Sequence, residues 1–218
     1  MSLFDHRPFH SVFQILAGFL AIGLLQGEGY RNFNLTCLAP LLEQVDSDIP
    51  ATLEVAFLRG PTRGPILRNN LGTVDFPLST SSTEAQAFFN QGIALLYGLN
   101  YREAERNMRQ ALAYDSDHPM IFWGLAMANE QKPGRARLFA QHAIARISNE
   151  TTSHERLWIE ALAHFFGVHA NGPDKLPPPP VLDDEQSRER IRRRIQDLED
   201  LVLSSPGDIN AKAFLLRQ

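Results

Sequence analysis

The feature that most constrains this chain is a pair of adjacent helical patterns between Ser81 and Asp115. Ser81 with Glu84 three positions later matches a capping box, in which a hydroxyl and a carboxylate satisfy the free N–H groups at a helix start. Apolar residues then recur at spacings of three and four, the period of a helix with one buried face. This first apolar face consists of Ala85, Phe88, Phe89, Gly92, Ile93 and Leu96.

A second helix follows after a short break at Gly98-Leu99-Asn100. Asn100 is a favourable N-cap residue, and Glu103 stands at the third helical position. The apolar face of the second helix consists of Tyr101, Ala104, Met108, Ala111 and Leu112. The two patterns together predict a helical hairpin over residues 81–115.

The later chain repeats this plan, with hairpins predicted over residues 117–147 and 152–204 and an incomplete one over 208–218. The hairpin starts recur about every 35 residues. Pro119 suits the first turn of a helix, and Thr152 with Glu155 forms another capping box. We expect Lys132-Pro133-Gly134 to break the helix of the second hairpin.

The first hairpin resembles the tetratricopeptide repeat, a family with a period of 34 residues. The signature positions are occupied by Phe88, Gly92, Tyr101, Ala104, Met108 and Ala111. Leu71 to Phe166 is also similar to a group of exported bacterial tetratricopeptide proteins, through FPLSTSSTEAQAFFNQGIALLYG, WGLAMAN and ERLWIEAL. The resemblance implies an all-α fold of hairpins stacked as a short right-handed solenoid. It implies no reaction, because the group is known by its repeats.

The sequence predicts three segments. Residues 1–29 are a signal peptide or an N-terminal membrane anchor, residues 30–78 are an irregular lead-in, and residues 79–218 are a repeat domain. Residues 11–25 are apolar and short enough for a signal peptide, although an uncleaved membrane anchor and a buried core helix are alternatives. We therefore expect an exported protein, periplasmic or extracellular, whose membrane contact is limited to residues 11–25 if they are retained. In the lead-in, 51–58 favours a short helix and 71–78 an extended connection.

Charge and cysteine content exclude several classes of function. The net charge of −4 and the pI of about 6.0 give no reason to expect nucleic-acid binding. Cys37 is the one cysteine, which excludes an intrachain disulfide and a zinc site built from cysteines. No G-x-S-x-G, P-loop or dinucleotide-binding motif occurs, so we expect no catalytic residue, metal or cofactor.

Histidines in the third hairpin leave one enzymatic alternative open. A metal-assisted hydrolase would use His154, Glu160, His164 and His169. His154 and His164 lie about 280° apart around a helix, and no HExxH motif is present. We expect surface or interface histidines of a repeat helix at these positions.

The last long helical pattern, over residues 183–203, is rich in both arginine and acidic residues. Its inward positions are predicted to be Ile191, Ile195, Leu198 and Val202. Oppositely charged residues at helix-pairing distance predict a solvent-exposed face: Asp184 with Arg188, Glu189 with Arg193, and Arg193 with Asp197. Residues 209–218 then begin a helix whose Ala213, Phe214 and Leu215 have no following helix to cover them. They either dock on the preceding helix or belong to a longer repeat protein of which this chain is a fragment. An alternative function is that of a repeat module of a larger exported enzyme or sensor.

The function predicted from these patterns is a non-catalytic scaffold that binds a peptide or helix of another protein. The binding groove would be lined by the first helices of the hairpins. The predicted contact residues are Asn90, Gln91, Ala94, Tyr97 and Asn129.

Overall fold

The structure is a computed structural model that describes residues 53–172, 176 and 180–218. These ranges contain eight α-helices and no β-strand, which confirms the all-α class. In chain order the helices are α1 (Leu53–Leu58), α2 (Thr83–Tyr97), α3 (Tyr101–Tyr114), α4 (Pro119–Met127), α5 (Pro133–Ala145), α6 (Ser153–Phe166), α7 (Asp184–Ser204) and α8 (Ile209–Leu216).

The predicted signal or anchor over 1–29 and residues 30–52 of the lead-in lie outside the described residues. Within the ranges given above, no helix combines the length and the apolar character needed to cross a bilayer. The predicted short helix over 51–58 is confirmed as α1. Residues 71–78 form no regular element and run as a connection into α2.

Successive helices pack as hairpins, α2 with α3, α4 with α5, and α6 with α7. The first helices also touch their neighbours, since α4 contacts both α2 and α6. The second helices α3 and α5 contact the first helix of the following pair. Helix α1 packs on α5, and α8 packs on α7. Most contacts therefore join elements that are close in chain order.

The helix starts agree with the predicted caps, with two corrections. Asn100 and Thr152 are N-caps as predicted, and Thr152 forms a complete capping box with Glu155. The cap of α2 is Ser82, not Ser81, because the Ser82 hydroxyl is the one that accepts from the Ala85 N–H. Helix α4 ends at Met127, and Pro133 begins α5 instead of ending α4. Proline suits the first turn, where its missing N–H has no intrahelical partner.

Met108 fills the junction of the first two hairpins and requires two glycines around it. A Cβ atom on Gly92 would lie 2.6 Å from Met108 Cε, and one on Gly124 would lie 2.5 Å from Met108 Sδ. The side chain of Met108 is fully buried. Gly92 of the predicted pattern and Gly124, which that pattern did not include, therefore make room for one large side chain from α3.

Helix α7 is buried over its last turns only. Leu198 is buried as predicted, and the buried Leu201 was missed. Ile191 was predicted to face inward, but 47% of it is exposed. Helix α7 has 21 residues and its partner α6 has 14, so α6 is too short to cover the whole of α7.

A buried carboxylate fixes the connection before α2 to the start of α6. Glu155 accepts hydrogen bonds from Ser79 N at 2.8 Å and Ser79 Oγ at 2.7 Å. It also accepts from Thr152 N at 2.9 Å and Thr152 Oγ1 at 2.8 Å. Burial alone raises the pKa of the Glu155 carboxyl, but these four bonds outweigh burial and hold the pKa below the ordinary 4.5. Glu155 is therefore ionised at neutral pH and joins two distant segments.

Candidate functional site

Each first helix contributes one large aromatic side chain to a common surface. Tyr97 comes from α2, Trp123 from α4 and Trp158 from α6, and we call these three residues the aromatic face. The ring centroids of Trp123 and Trp158 are 5.1 Å apart in an edge-to-face arrangement. Aromatic rings on neighbouring helices supply a large apolar area with a defined geometry.

The C-terminal helix α8 is seated on the aromatic face. Phe214 is 1% exposed, and its ring centroid lies 5.4 to 5.6 Å from the centroids of Tyr97, Trp123 and Trp158. One turn earlier, Asn210 Oδ1 accepts a 2.7 Å hydrogen bond from the Tyr97 hydroxyl. The predicted docking of this helix on α7 is observed, and Phe214 also reaches the first helices of all three hairpins.

The Tyr97 hydroxyl remains a hydrogen-bond donor over the whole physiological range of pH. Burial and the nearby charge of Asp208 both raise the pKa of this phenol above its ordinary value of 10.0. Its partner Asn210 also donates from Nδ2 to the backbone oxygen of Asp75 at 2.9 Å. Asn210 thus bonds both to α2 and to residues 71–78, the segment that precedes α2.

Phe76 covers the aromatic face from a second direction. Its ring centroid lies 5.2 Å from that of Trp158 and 5.7 Å from that of Trp123. A cavity of about 20 Å³ remains beside Phe214, which is room for about one water molecule. A ligand on this face would therefore have to replace a segment of the chain itself.

Two predicted contact residues on α2 hold the chain's own lead-in. Gln91 Oε1 accepts from Arg68 N at 2.7 Å, and Gln91 Nε2 donates to the backbone oxygen of Ile66 at 2.9 Å. Asn90 Oδ1 accepts from Phe76 N at 3.2 Å. These amide side chains therefore bind the backbone of an irregular segment of the same chain.

The remaining predicted contact residues do not form one site. Ala94 is half-buried on α2, near Tyr97. Asn129 is buried after α4 and bonds to the Arg135 side chain at 2.5 Å and to the backbone oxygen of Leu125. The structure thus brings Asn90, Gln91 and Tyr97 together on one helix but places Asn129 elsewhere. The predicted contact residues did not include Trp123 and Trp158, which are 35 positions apart, about one repeat period.

Ser79, His118 and Glu155 meet in an arrangement that resembles a catalytic triad. Ser79 Oγ lies 3.3 Å from His118 Nε2 and donates to Glu155. His118 Nδ1 accepts from the backbone N–H of Met120, so the proton of the neutral imidazole is on Nε2. A protonated Nε2 cannot take a proton from Ser79 Oγ, which activation of a serine nucleophile requires. The three residues hold the segment before α2 against the starts of α4 and α6.

The histidines among the candidate metal ligands each bond to a different partner. His154 Nε2 lies 2.9 Å from Asp208 Oδ2, and His164 Nδ1 lies 3.1 Å from Asp197 Oδ2. His169 accepts a hydrogen bond from Gln141 through its backbone oxygen. Among the residues that the structure describes, no group of three or more possible ligands could hold a metal ion.

The structure confirms part of the ion-pair pattern that was predicted for the arginines of α7. Arg193 pairs with Asp197 at 3.3 Å as predicted, whereas Glu189 pairs with Arg192 instead of Arg193. Arg194 lies against the ring of Phe165, with the guanidinium carbon 4.3 Å from the ring centroid. Burial lowers the pKa of Arg194 to about 10. This arginine therefore packs inside the fold and is not part of a solvated face.

Comparison of the chain with protein-family models, with curated proteins and with solved structures found no match.

Proposed function

We propose that this protein is a non-catalytic interaction scaffold of the tetratricopeptide-repeat type, which binds a helix of a partner protein on the aromatic face. The packing of hairpins mainly on their neighbours supports the repeat architecture. The proposal that the protein acts outside the cytoplasm rests on the apolar run over residues 11–25.

The observation that carries the proposal is the seating of α8. Phe214 is the apolar anchor and Asn210 the polar one, and Arg217 at the helix end pairs with Glu130. Anchors at positions i, i+4 and i+7 form one face of a helix and are typical of helix-in-groove recognition. The face therefore fits a helix with an amide, a phenylalanine and a basic residue at that spacing.

A partner helix must compete with α8, which is tethered and therefore present at a high effective concentration. Replacing the buried Phe214 with alanine removes packing worth about 3–5 kcal/mol and should free the face. Leu216 on the same helix is 88% exposed and offers a matched control.

The test is fluorescence anisotropy with a labelled peptide of residues 205–218 and three versions of the full chain. We expect the Phe214→Ala chain to bind the peptide at least about tenfold more tightly than the parent does. The Leu216→Ala chain should behave like the parent, and a peptide carrying the same Phe214→Ala change should not bind. Equal binding to the parent and the Phe214→Ala chain, or no binding to any chain, would contradict the proposal.

A further inference from the structure

A basic cleft of about 310 Å³ lies between the loop after α1 and the starts of α3 and α5. Arg59 comes from the loop, Arg102 from α3, and Lys132 and Arg135 from the start of α5. Glu105 is the single acidic residue among those that line the cleft. The lining is thus strongly cationic in a chain whose net charge is −4.

The acidic residue does not neutralise the cleft, because two arginines share it. Glu105 Oε1 accepts from Arg135 Nη2 at 2.7 Å and from Arg109 Nη2 at 2.7 Å. The side chains of Arg135 and Glu105 are 8% and 5% exposed. One carboxylate between two guanidinium groups leaves the cluster with a charge of about +1 at neutral pH.

Burying an uncompensated charge is unfavourable, and a counter-charge in contact with it removes much of that penalty. Arg135 also has a buried Nε atom without a hydrogen-bond partner in the part of the chain that the structure describes. Its other nitrogens bond to Glu105, Asn129 and the backbone oxygen of Ala56. The cluster therefore holds Arg135 rigidly while leaving an excess of positive charge beside the cleft.

The rim of the cleft adds further positive potential. Arg102 and Lys132 are both exposed at the starts of their helices. Lys132 is the N-cap of α5 and makes no side-chain capping bond, so the first N–H groups of α5 lack a side-chain cap. A helix N-terminus carries a partial positive charge that favours anions.

The loop beside the cleft approaches the charged cluster closely at a glycine. A Cβ atom on Gly60 would lie 1.7 Å from Arg109 Nη2 and 2.3 Å from Glu105 Oε1. The backbone at Gly60 is therefore in close contact with the charged cluster, and the cleft is assembled from three separate parts of the chain.

We propose that this cleft binds a small multivalent oxyanion, in which phosphate or carboxylate groups contact Arg102 and Lys132 in the positive field of Arg135, whose own Nη atoms are already bonded within the cluster. Guanidinium groups donate paired hydrogen bonds to such oxygens, and the lysine contributes a mobile point charge. The cleft lining includes none of the three residues of the aromatic face, and Tyr101, which does line the cleft, accepts a hydrogen bond from Arg217 at the end of α8.

The test is calorimetric titration of the full chain with sodium pyrophosphate and, separately, with citrate, at an ionic strength held constant with sodium chloride. The charge-removing variant is Arg102→Gln with Lys132→Gln, and the matched control is Arg192→Gln with Arg193→Gln on the exposed face of α7. Each double variant removes two positive charges, so a general effect of net charge alters both equally.

We expect the parent to bind at least one of the two anions with one-to-one stoichiometry and a Kd below about 1 mM. The cleft variant should bind about tenfold more weakly or worse, and the α7 variant should stay within about twofold of the parent. Binding of pyrophosphate alone would assign the site to phosphate groups, and binding of citrate alone would assign it to carboxylates. Absence of binding by the parent, or an equal loss in both variants, would overturn the proposal.

Discussion

Replacing Glu155 with glutamine tests the hydrogen bonds by which this buried carboxylate holds the segment before α2. The substitution keeps the size of the side chain and removes its charge. In the parent, the backbone N–H of Ser79 donates to one oxygen of this carboxylate, and the backbone N–H of Thr152 donates to the other. A glutamine presents one oxygen and one NH₂ group, so one buried N–H must face another donor.

The expected loss of stability follows from this geometry. A buried donor left without an acceptor costs about 1–3 kcal/mol, and the remaining bonds weaken once the acceptor is uncharged. We therefore expect Glu155→Gln to reduce the free energy of unfolding by about 2–4 kcal/mol at pH 7. For a chain of this length that corresponds to a fall in Tm of about 6–12 °C.

The difference between parent and variant should depend on pH. The pKa of Glu155 is lowered in the folded chain, so its contribution is fully present above the unfolded value of 4.5 and is lost as pH falls through the folded value. The glutamine does not titrate. The gap in Tm should therefore be largest near pH 7 and should shrink as pH falls from about 5 to about 3.

Thermal unfolding followed by circular dichroism at pH 7, 5, 4 and 3 measures both effects. The matched control is Glu84→Gln, because Glu84 is an exposed residue in the first turn of α2 and accepts from the hydroxyls of Ser82 and Thr83. That control should lower the Tm much less than Glu155→Gln does. A Glu155→Gln variant as stable as the parent at pH 7, or a gap independent of pH, would refute the reasoning.

Three further substitutions test other parts of the account by the same unfolding assay. Gly124→Ala forces a Cβ atom to within 2.5 Å of Met108 Sδ and should destabilise the fold by about 1–3 kcal/mol, whereas a neutral result would mean that Met108 has room to move. Tyr97→Phe removes the bond to Asn210 and should lower stability by about 0.5–1.5 kcal/mol; a loss above that range would point to a larger role for the hydroxyl. Arg193→Gln breaks an exposed pair and should change stability by less than about 0.5 kcal/mol, so a larger effect would contradict the solvated character of that face.

The predictions that succeeded depend on residues close together in the chain. The cap at Asn100 and the capping box of Thr152 with Glu155 involve partners three positions apart, and both are confirmed. The hairpin faces follow from the helical period in the same way. Local spacing was therefore sufficient to place the helices and most of their buried sides.

The misplaced features depend on contacts between distant segments. The bond from Tyr97 to Asn210 spans 113 positions, and no local pattern shows that α8 crosses the aromatic face. Asn129 was assigned to the groove by helical phase, but its surroundings are set by Arg135, which also bonds to Ala56 from 79 positions away. The exposure of Ile191 likewise reflects the unequal lengths of α6 and α7.

Hydrogen exchange of the full chain tests most directly the central claim that α8 is seated on the aromatic face. We expect the amides of residues 209–216 to be protected in the parent, because Phe214 and Asn210 hold the helix in place. In the Phe214→Ala chain these amides should exchange at least about tenfold faster, while those of α4 keep their protection. Exchange of residues 209–216 in the parent as fast as in the free peptide would contradict the claim.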